Sequence, residues 1–339
     1  MTFQDVKAYP ILRKRFMHYI TGTTSLPAGY TKNKLFMDYL KVRRQNPEKR
    51  VSMSEYMIFG FYNLTLQKQK EFLTDVEATR LMRPYNISSV SLLKDKVCFL
   101  KTFARFIHRD WLYLPEADAE QFRSFLAKHP VIALKPPLSS WGIGFRKLNA
   151  SDVDDPDKLF DMLSAKGYLA EEYLVSDDAL ARFHPASLNT IRVITFRMDD
   201  RFAVLGAGLR VGNNGLPVDN AHGGGIFCEA DIDTGIIITD GLDENGNHYD
   251  CHPVTGIRFR GEQLPYWQKT IDLCRDASFA QPSLHIVGWD IAVLPGGQLE
   301  IIEGNHNPGM NIVQAPAKHG IKKKFCSMLE EFYGEGVGL

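Results

Sequence analysis

The chain has 339 residues, with 40 lysines plus arginines against 40 aspartates plus glutamates, 44% hydrophobic residues and five cysteines. This length allows two or three packed units, and the composition is that of an ordinary soluble globular protein. There is no apolar run of the roughly 20 residues that a spanning helix needs, no signal-peptide pattern and no CxxC pair. These features argue against membrane insertion, a disulfide framework or a zinc site, and they favour the reduced cytoplasm.

Residues 1–90 are predicted to be mainly helical and basic. Apolar residues recur there at three- and four-residue spacing, with Ser54 at a candidate N-cap and Pro84 at the end of the pattern. This part holds 15 lysines plus arginines and 7 acidic residues. Either it meets an anionic partner, or it is a solvated helical surface that docks on the more acidic remainder. No nucleic-acid motif is present, so we expect no nucleic-acid partner.

From about residue 90 the sequence pattern changes to short β-rich runs that alternate with helical ones. This alternation indicates an α+β or α/β catalytic region. The predicted helices are 93–108, 118–128, 156–166, 262–277 and 316–332. The predicted strands are VIALKP, YLAEEYL, TIRVITF, FAVLGAGLRVG, GIFCEADI, GIIITD, HIVGWDIAVL and QLEIIEG.

Two lysines are candidates for binding phosphate. Lys135 ends the apolar strand VIALK and precedes a Pro/Ser/Gly turn, where one cation and several backbone N–H groups can meet a polyphosphate. The alternative is an ordinary turn between strands. Lys96 lies on a separate helical segment and can approach from another side, or it is an exposed helical lysine with Lys101 as its competitor.

The segment 171–174, Glu-Glu-Tyr-Leu, ends a predicted strand before the chain bends. Extended backbone there can bond an adenine edge, and an acid can accept from the exocyclic amine. The alternative is a strand end with two solvated glutamates.

Two arginines lie on otherwise apolar strands, Arg192 in TIRVITF and Arg210 at the end of LGAGLR. An unpaired buried charge is costly, so each needs a partner. That partner is either a phosphate or carboxylate of the substrate or an acid of the protein. Between the second arginine and the next strand, the loop 212–225 is long and rich in Gly and Asn, which marks it as a candidate functional loop. His222 on this loop is not assigned as a base.

The most informative stretch is 288–309, GWDIAVLPGGQLEIIEGNHNPG, which predicts two strands joined by a Pro-Gly-Gly turn. Glu303 and Asn305 alternate on one face of the second strand, and the hairpin brings Asp290 of the first strand alongside. Three hard oxygen donors at one spot suit Mg²⁺. The alternative is a hairpin with polar residues near its turn.

In this order, these motifs resemble the ATP-grasp superfamily of carboxylate–amine ligases over roughly residues 91–332. The segment FHPASLNTIRVITF and the basic helical start are most similar to the sugar-transfer-associated ATP-grasp group. The resemblance implies an α+β (α/β) ATP-grasp fold whose two lobes sandwich ATP. The implied parts are a helical region at 1–90, an N-lobe at 91–175 and a C-lobe at 176–339.

The same resemblance implies the site residues. Lys96 and Lys135 would hold phosphates, Glu171 would meet the adenine amine, and Asp177, Asp178 and Asn189 compete for the ribose. The full implied nucleotide set is Lys96, Lys135, Ser139, Ser140, Gly142, Gly144, Glu171, Glu172, Tyr173, Leu174, Asp177, Asn189, Asn220 and Gly224. Arg192 and Arg210 would be catalytic. Asp290, Glu303 and Asn305 would hold one or two Mg²⁺ ions, with Mn²⁺ as a possible substitute.

The implied function is an ATP-dependent ligase that joins a carboxylate to an amine through an acylphosphate. An amino acid or amino sugar is the expected small-molecule substrate, in exopolysaccharide, cell-envelope or secondary-metabolite biosynthesis. The alternatives are a kinase on the same fold and a nucleotide-binding regulator without turnover. The sequence gives neither the two substrates nor the oligomeric state.

Overall fold

The computed structural model describes residues 3–87, 90–139, 143–213 and 224–334. The helices are α1 (Phe3–Tyr19), α2 (Lys32–Gln45), α3 (Met53–Ile58), α4 (Leu66–Gln69), α5 (Asp75–Asn86), α6 (Val90–Lys94), α7 (Lys96–Thr102), α8 (Ala119–Lys128), α9 (Pro156–Ala165), α10 (Asp178–Ala181), α11 (Trp267–Ala280) and α12 (Lys322–Tyr333). The strands are β1 (Trp111–Tyr113), β2 (Val131–Lys135), β3 (Arg146–Asn149), β4 (Leu169–Glu172), β5 (Thr190–Met198), β6 (Arg201–Val211), β7 (Ile226–Ala230), β8 (Gly241–Leu242), β9 (His248–Tyr249), β10 (Ile286–Leu294) and β11 (Gln298–Asn305). No described helix is both long and apolar enough to cross a membrane.

The N-terminal region consists of helices α1 to α5, as its periodicity predicts. Ser52, not Ser54, caps α3, because only Ser52 can form a reciprocal capping box with Glu55. The Ser54 hydroxyl instead donates to the Glu244 carbonyl at 3.1 Å. Helix α5 continues two residues past Pro84. A proline so near the end of a helix removes a single backbone hydrogen bond and leaves the last turn intact.

Strands β1 to β4 form a four-stranded antiparallel sheet in the order β1-β4-β2-β3. Helices α8 and α9 bury an apolar face against this sheet, including Phe122 and Leu163. The register places Glu171 opposite Ala133, so its side chain shares a face with Lys135 two residues further along β2. This four-stranded sheet, the small sheet, therefore brings Lys135 next to the segment 171–174, which we call the hinge.

The other strands form a seven-stranded antiparallel sheet in the order β11-β10-β5-β6-β7-β8-β9. One face packs on α11 through residues such as Val193 and Trp289. The opposite face, with Ile194 and Phe196, packs in one apolar core with the N-terminal helices and α12. The N-terminal region is thus joined to the large sheet by shared hydrophobic burial.

The segment GIIITD, predicted as a strand, forms single bridges only, Ala230 to Ile237 and Ile236 to Gln263. Its backbone crosses back over β7 after a tight turn at Gly235, so no continuous ladder develops. The short strands β1 and β3 are absent from the sequence prediction. Neither strand carries a long apolar run, since they contain three and four residues respectively.

Candidate active site

The hairpin of β10 and β11 brings together the three predicted metal ligands. Asp290 lies opposite Glu303 in the antiparallel register, and Asn305 follows on the same face. The Asn305 amide nitrogen lies 3.3 Å from Asp290 Oδ2 and 3.3 Å from Glu303 Oε1. The predicted hairpin and the convergence of these side chains are confirmed.

Two arginines neutralise the first carboxylate. Arg192 lies directly across the sheet from Asp290, and its Nη2 donates to Oδ2 at 2.8 Å. Arg210, one strand further, donates to the same oxygen at 2.9 Å. Burial alone would raise the pKa of Asp290, but the two guanidinium groups hold it well below its usual range. Both arginines are therefore paired with an acid of the protein, Asp290, which was one of the two alternatives that the sequence left open.

The second carboxyl group experiences the opposite effect. Burial and the neighbouring charge of Asp290 raise the pKa of Glu303, and the two carboxyl groups share a hydrogen bond. A like charge nearby disfavours ionisation, so a bound cation would help both carboxyl groups to be ionised together.

A divalent cation fits this arrangement. It would satisfy both carboxylates, and half a turn of the Asn305 amide would add its oxygen as a third ligand. The donor set, all hard oxygens, is the kind that Mg²⁺ and Mn²⁺ prefer.

The two predicted phosphate lysines lie at the start of α7 (Lys96) and at the end of β2 (Lys135). Lys135 forms an ion pair with Glu171, whose side chain is 2% exposed. The Lys96 ammonium donates to the Ser139 carbonyl. Burial and the repulsion of Lys135 lower the pKa of Lys96, while Glu303 and Glu171 act in the opposite direction. Lys96 is therefore within electrostatic reach of Glu303 on β11 and of Lys135.

Lys101, the competing lysine, points elsewhere. It is half exposed and forms a 2.8 Å ion pair with Glu116 on the surface. Of the two lysines weighed from the sequence, only Lys96 lies near the metal ligands.

The turn after Lys135 contains Ser139 and Gly144. The Ser139 hydroxyl donates to the Pro136 carbonyl at 2.9 Å. Gly144 has a φ of +80°, and a Cβ there would lie 2.7 Å from Pro136 Cγ, so glycine is required. Ser140 and Gly142 lie outside the described residues.

The hinge adjoins a pocket of about 340 Å³. Tyr173 and Leu174 line one side, and the Lys147 ammonium stands 4.3 Å from the centre of the Tyr173 ring. The loop 185–187 closes the other side. The sequence carries no motif at Lys147, and residues 185–187 lie within FHPASLNTIRVITF, which was singled out for its family resemblance but not as part of a pocket.

The two hinge glutamates face opposite ways, as alternation along β4 requires. Burial would raise the pKa of Glu171, but Lys135 and Arg109 lower it to about 2. Its carboxylate is engaged by those two cations and does not face the pocket. The solvated-glutamate alternative is therefore wrong for Glu171. Glu172 accepts the Asp110 backbone N–H at 3.2 Å.

The residues predicted to compete for the ribose form part of helix α10 or bond the backbone around it. Asp177 caps α10 by accepting the Ala179 N–H at 3.0 Å, and Asp178 begins that helix. Asn189 is fully buried, and its amide donates to the Leu180 and His184 carbonyls. That burial leaves Asn189 no exposed atom for a nucleotide. Its amide oxygen accepts from the Ser187 hydroxyl at 2.7 Å, so Asn189 supports one wall of the pocket.

The two remaining predicted loop residues lie on or beside 214–223. Asn220 is outside the described residues, as is His222. Gly224, the first described residue after the gap, has a φ of +83°, which favours glycine.

Sequence reasoning missed a buried ion network beside the site. The Arg109 guanidinium bonds Glu171 at 2.9 Å and Glu300 at 2.5 Å, and all three side chains are at most 3% exposed. These residues are 62 and 191 positions apart, and no local pattern pairs them.

The fold and the site together are those of an α+β ATP-grasp enzyme. The model of the family described as sugar-transfer-associated ATP-grasp matches residues 151–330, more than half of the chain. The chain belongs to this family. The match includes the segment 171–174 and strands β10 and β11, whereas Lys96 and Lys135 precede it.

Three groups of solved structures resemble the chain at low identity. The ATP-grasp ligase PsnB complexed with minimal precursor, Mg and ADP is 16% identical, with a TM-score of 0.46, over 91% of this chain and 75% of that one. D-alanyl-alanine synthetase A from Vibrio cholerae is 12% identical, with a TM-score of 0.45, over 71% and 66%. The ADP complex of PurK, N5-carboxyaminoimidazole ribonucleotide synthetase, is 12% identical, with a TM-score of 0.43, over 71% and 53%. No curated protein sequence matches the chain.

Proposed function

We propose that the protein joins a carboxylate to an amine through an acylphosphate, with release of ADP and phosphate. One observation carries this proposal. Asp290, Glu303 and Asn305 converge on one spot, and Lys96 lies within electrostatic reach of both Glu303 and Lys135. An arrangement of this kind binds the anionic tail of a nucleotide between a cation site and two ammonium groups.

The chain's own residues provide positioning and charge. Lys96 and Lys135 would leave their present protein partners, Ser139 and Glu171, and bind phosphate oxygens. When bound, one or two Mg²⁺ ions, or Mn²⁺ in their place, would neutralise the charge that develops during phosphoryl transfer. Asp290, Glu303 and Asn305 would hold the ions.

The two arginines would act on the substrate. The substrate carboxylate attacks the γ-phosphate of ATP, ADP leaves, and the acylphosphate forms. The amine then attacks the acyl carbon, and phosphate leaves as the amide forms. Arg210, already beside Asp290, would stabilise the tetrahedral oxyanion together with Arg192, an effect of roughly 3–4 kcal/mol for a well-placed donor.

The pocket beside the hinge would receive the adenine. Tyr173 and Leu174 would offer backbone groups to its edge, and the Tyr173 ring and Lys147 would border it. Glu171 reaches the adenine amine only if its carboxylate leaves Lys135, so we assign the adenine contact first to the backbone. Asp177 remains the proposed ribose residue, because its carboxylate is only partly buried.

The N-terminal region borders the acceptor side. Thr79 on α5 donates to the Asn307 side chain at 3.0 Å, two residues beyond Asn305. An open groove of about 400 Å³ lies there along α5, lined by Asp75, Val76, Thr79, Arg80 and Arg83. We propose that an amino acid or amino sugar, or the acid it is joined to, approaches along this groove. The five cysteines are free and the reaction uses ATP, so we place it in the cytoplasm.

The test is a panel of small carboxylic acids crossed with amines, with ADP release and product mass as the readouts. The proposal predicts ADP and free phosphate in equal amounts, only when both substrates are present, together with an amide product. A product that retains the phosphoryl group would indicate a kinase. ATP binding without ADP formation across the panel would indicate a regulator, and either result would overturn the ligase proposal.

A further inference from the structure

Arg109 connects the two sheets of the enzyme through buried ion pairs. It lies just before β1, and its Nε bonds Glu171 of the small sheet at 2.9 Å. Its Nη1 bonds Glu300 of the large sheet at 2.5 Å, and the second Glu300 oxygen accepts the His108 N–H at 2.9 Å. Glu300 is completely buried, so these contacts do not involve solvent.

The same guanidinium also bonds the backbone where β11 changes register. Asp290 faces Glu303, but the next residue of β10, Ile291, faces Ile301, so Ile302 is the extra residue of a β-bulge. Arg109 donates to the carbonyl of Ile301 at 3.0 Å and to the carbonyl of Ile302 at 3.3 Å. It therefore bonds the backbone of the bulge directly.

This bulge sets the direction of the metal ligand. In a regular strand, Glu300 and Glu303 would point to opposite faces, since they are three residues apart. The register shift pairs Glu300 with Ala292 and Glu303 with Asp290, so both glutamates lie on the face that carries Asp290. Arg109 thus bonds the first of these glutamates and the backbone that turns the second one inward.

The small-sheet side of the network concerns Lys135. Glu171 is bonded by both Arg109 and Lys135. If Lys135 moves to a phosphate, Glu171 keeps Arg109 as its partner, and no buried carboxylate is left unpaired. One guanidinium therefore serves both halves of the site.

We propose that Arg109 is a positioning residue that fixes Glu303 against Asp290 and releases Lys135 for the nucleotide. The inference rests on the metal and nucleotide assignments made under the proposed function. It does not depend on which acid and amine are joined.

The test compares Arg109→Lys and Glu300→Gln with the parent protein. Lysine keeps the charge but cannot bond Glu171, Glu300 and two carbonyls together. Glutamine keeps the volume of Glu300 and removes its charge. Calorimetry would measure the binding of ADP as a function of Mg²⁺ concentration, with no amide formation involved. Both variants should need about 10–100-fold more Mg²⁺ for half-maximal ADP binding, as loss of a group that orients a metal ligand typically requires.

Lys49→Met is the matched control. Lys49 forms an equally buried ion pair with Glu77, at 2.6 Å and 1% exposure, within the N-terminal helices. This variant should lower the melting temperature and leave the Mg²⁺ dependence of ADP binding unchanged.

Variants of Arg109 and Glu300 that lose stability like Lys49→Met, yet bind Mg²⁺ and ADP as the parent does, would overturn the inference. A near-normal Arg109→Lys beside a defective Glu300→Gln would also contradict it, because charge alone would then suffice. Failure of the parent to form an amide, with Mg²⁺-dependent ADP binding intact, would count against the ligase proposal only. Failure of the parent to bind ADP with Mg²⁺ would remove both.

Discussion

At the scale of single residues, the site depends on unequal treatment of two adjacent carboxyl groups. Asp290 is kept ionised by Arg192 and Arg210, while burial and the charge of Asp290 raise the pKa of Glu303. A metal ion binds oxygens that carry negative charge, and the raised pKa of Glu303 means that protons compete with the ion for this carboxylate. Affinity for the ion should accordingly rise with pH.

Glu303→Gln tests the role of that charge. The substitution keeps the volume and removes the negative charge, so turnover should fall at least about 100-fold while the fold persists. Steady-state ADP release and far-ultraviolet circular dichroism would measure the two effects. Glu120→Gln, an exposed position on α8, is the control and should change neither. Near-normal turnover in Glu303→Gln would show that the metal site lies elsewhere.

Lys96 and Lys101 form a natural pair of test positions. Lys96 lies near Lys135 and Glu303, whereas Lys101 is paired with Glu116 on the surface. Lys96→Met should raise KM for ATP about tenfold or more, the loss of one charge-assisted phosphate contact. Lys101→Met should leave KM for ATP within about twofold. Initial rates over a range of ATP concentrations decide the matter, and equal effects at both positions would contradict the assignment of Lys96.

At the scale of elements, alternation along β10 and β11 predicts the hairpin and brings Asp290, Glu303 and Asn305 to one face. The bulge at Ile302 could not be predicted, because an extra residue in a ladder is defined by the partner strand. Arg109 and Glu300 were missed for a related reason: their pairing depends on how two sheets meet. Local pattern predicts strands, whereas register and inter-sheet ion pairs come from tertiary packing.

The turn after β2 provides an element-scale prediction. Gly144→Ala places a Cβ at 2.7 Å from Pro136 in a left-handed backbone. Gly167 also has a positive φ, of +72°, but a Cβ added there by Gly167→Ala would have no atom within 4 Å. Each should cost about 1–2 kcal/mol of stability from the backbone alone. Only Gly144→Ala should also raise KM for ATP, because its clash displaces the turn that we propose covers the phosphates. Chemical denaturation and ATP kinetics would separate the two effects, and a shared rise in KM would contradict this.

At the scale of the whole molecule, the sequence predicted a helical region followed by an α+β enzyme. Docking of the helical region on the rest of the chain was one of two alternatives, but the hydrophobic core that it shares with the large sheet was not predicted. The apolar positions of α2 and α3 are visible as helical periodicity, but that they belong to one core with Ile194 and Phe196 depends on which sheet face remains uncovered. The basic charge of residues 1–90 does not predict how this region packs, because the core that it shares with the large sheet is hydrophobic.

The buried ion network gives the whole molecule a pH dependence. The pKa of Glu171 is lowered from 4.5 to about 2, so its contribution to stability is complete above pH 4.5 and is lost as pH falls towards 2. The shift corresponds to about 3 kcal/mol. Urea unfolding of the parent and of Glu171→Gln should show a difference in free energy that shrinks steadily between pH 5 and pH 2. Parallel curves over that range would contradict the assignment.

We infer that Asp290, Glu303 and Asn305 jointly hold magnesium against the phosphates of a nucleotide. A crystal structure of the protein grown with ADP and Mg²⁺ tests it most directly. We expect an ion at about 2.0–2.1 Å from an oxygen of each of the three side chains, with the nucleotide phosphates between it and the ammonium groups of Lys96 and Lys135. Bound ADP with those side chains turned away from any ion, or an ion held by other residues, would contradict the account.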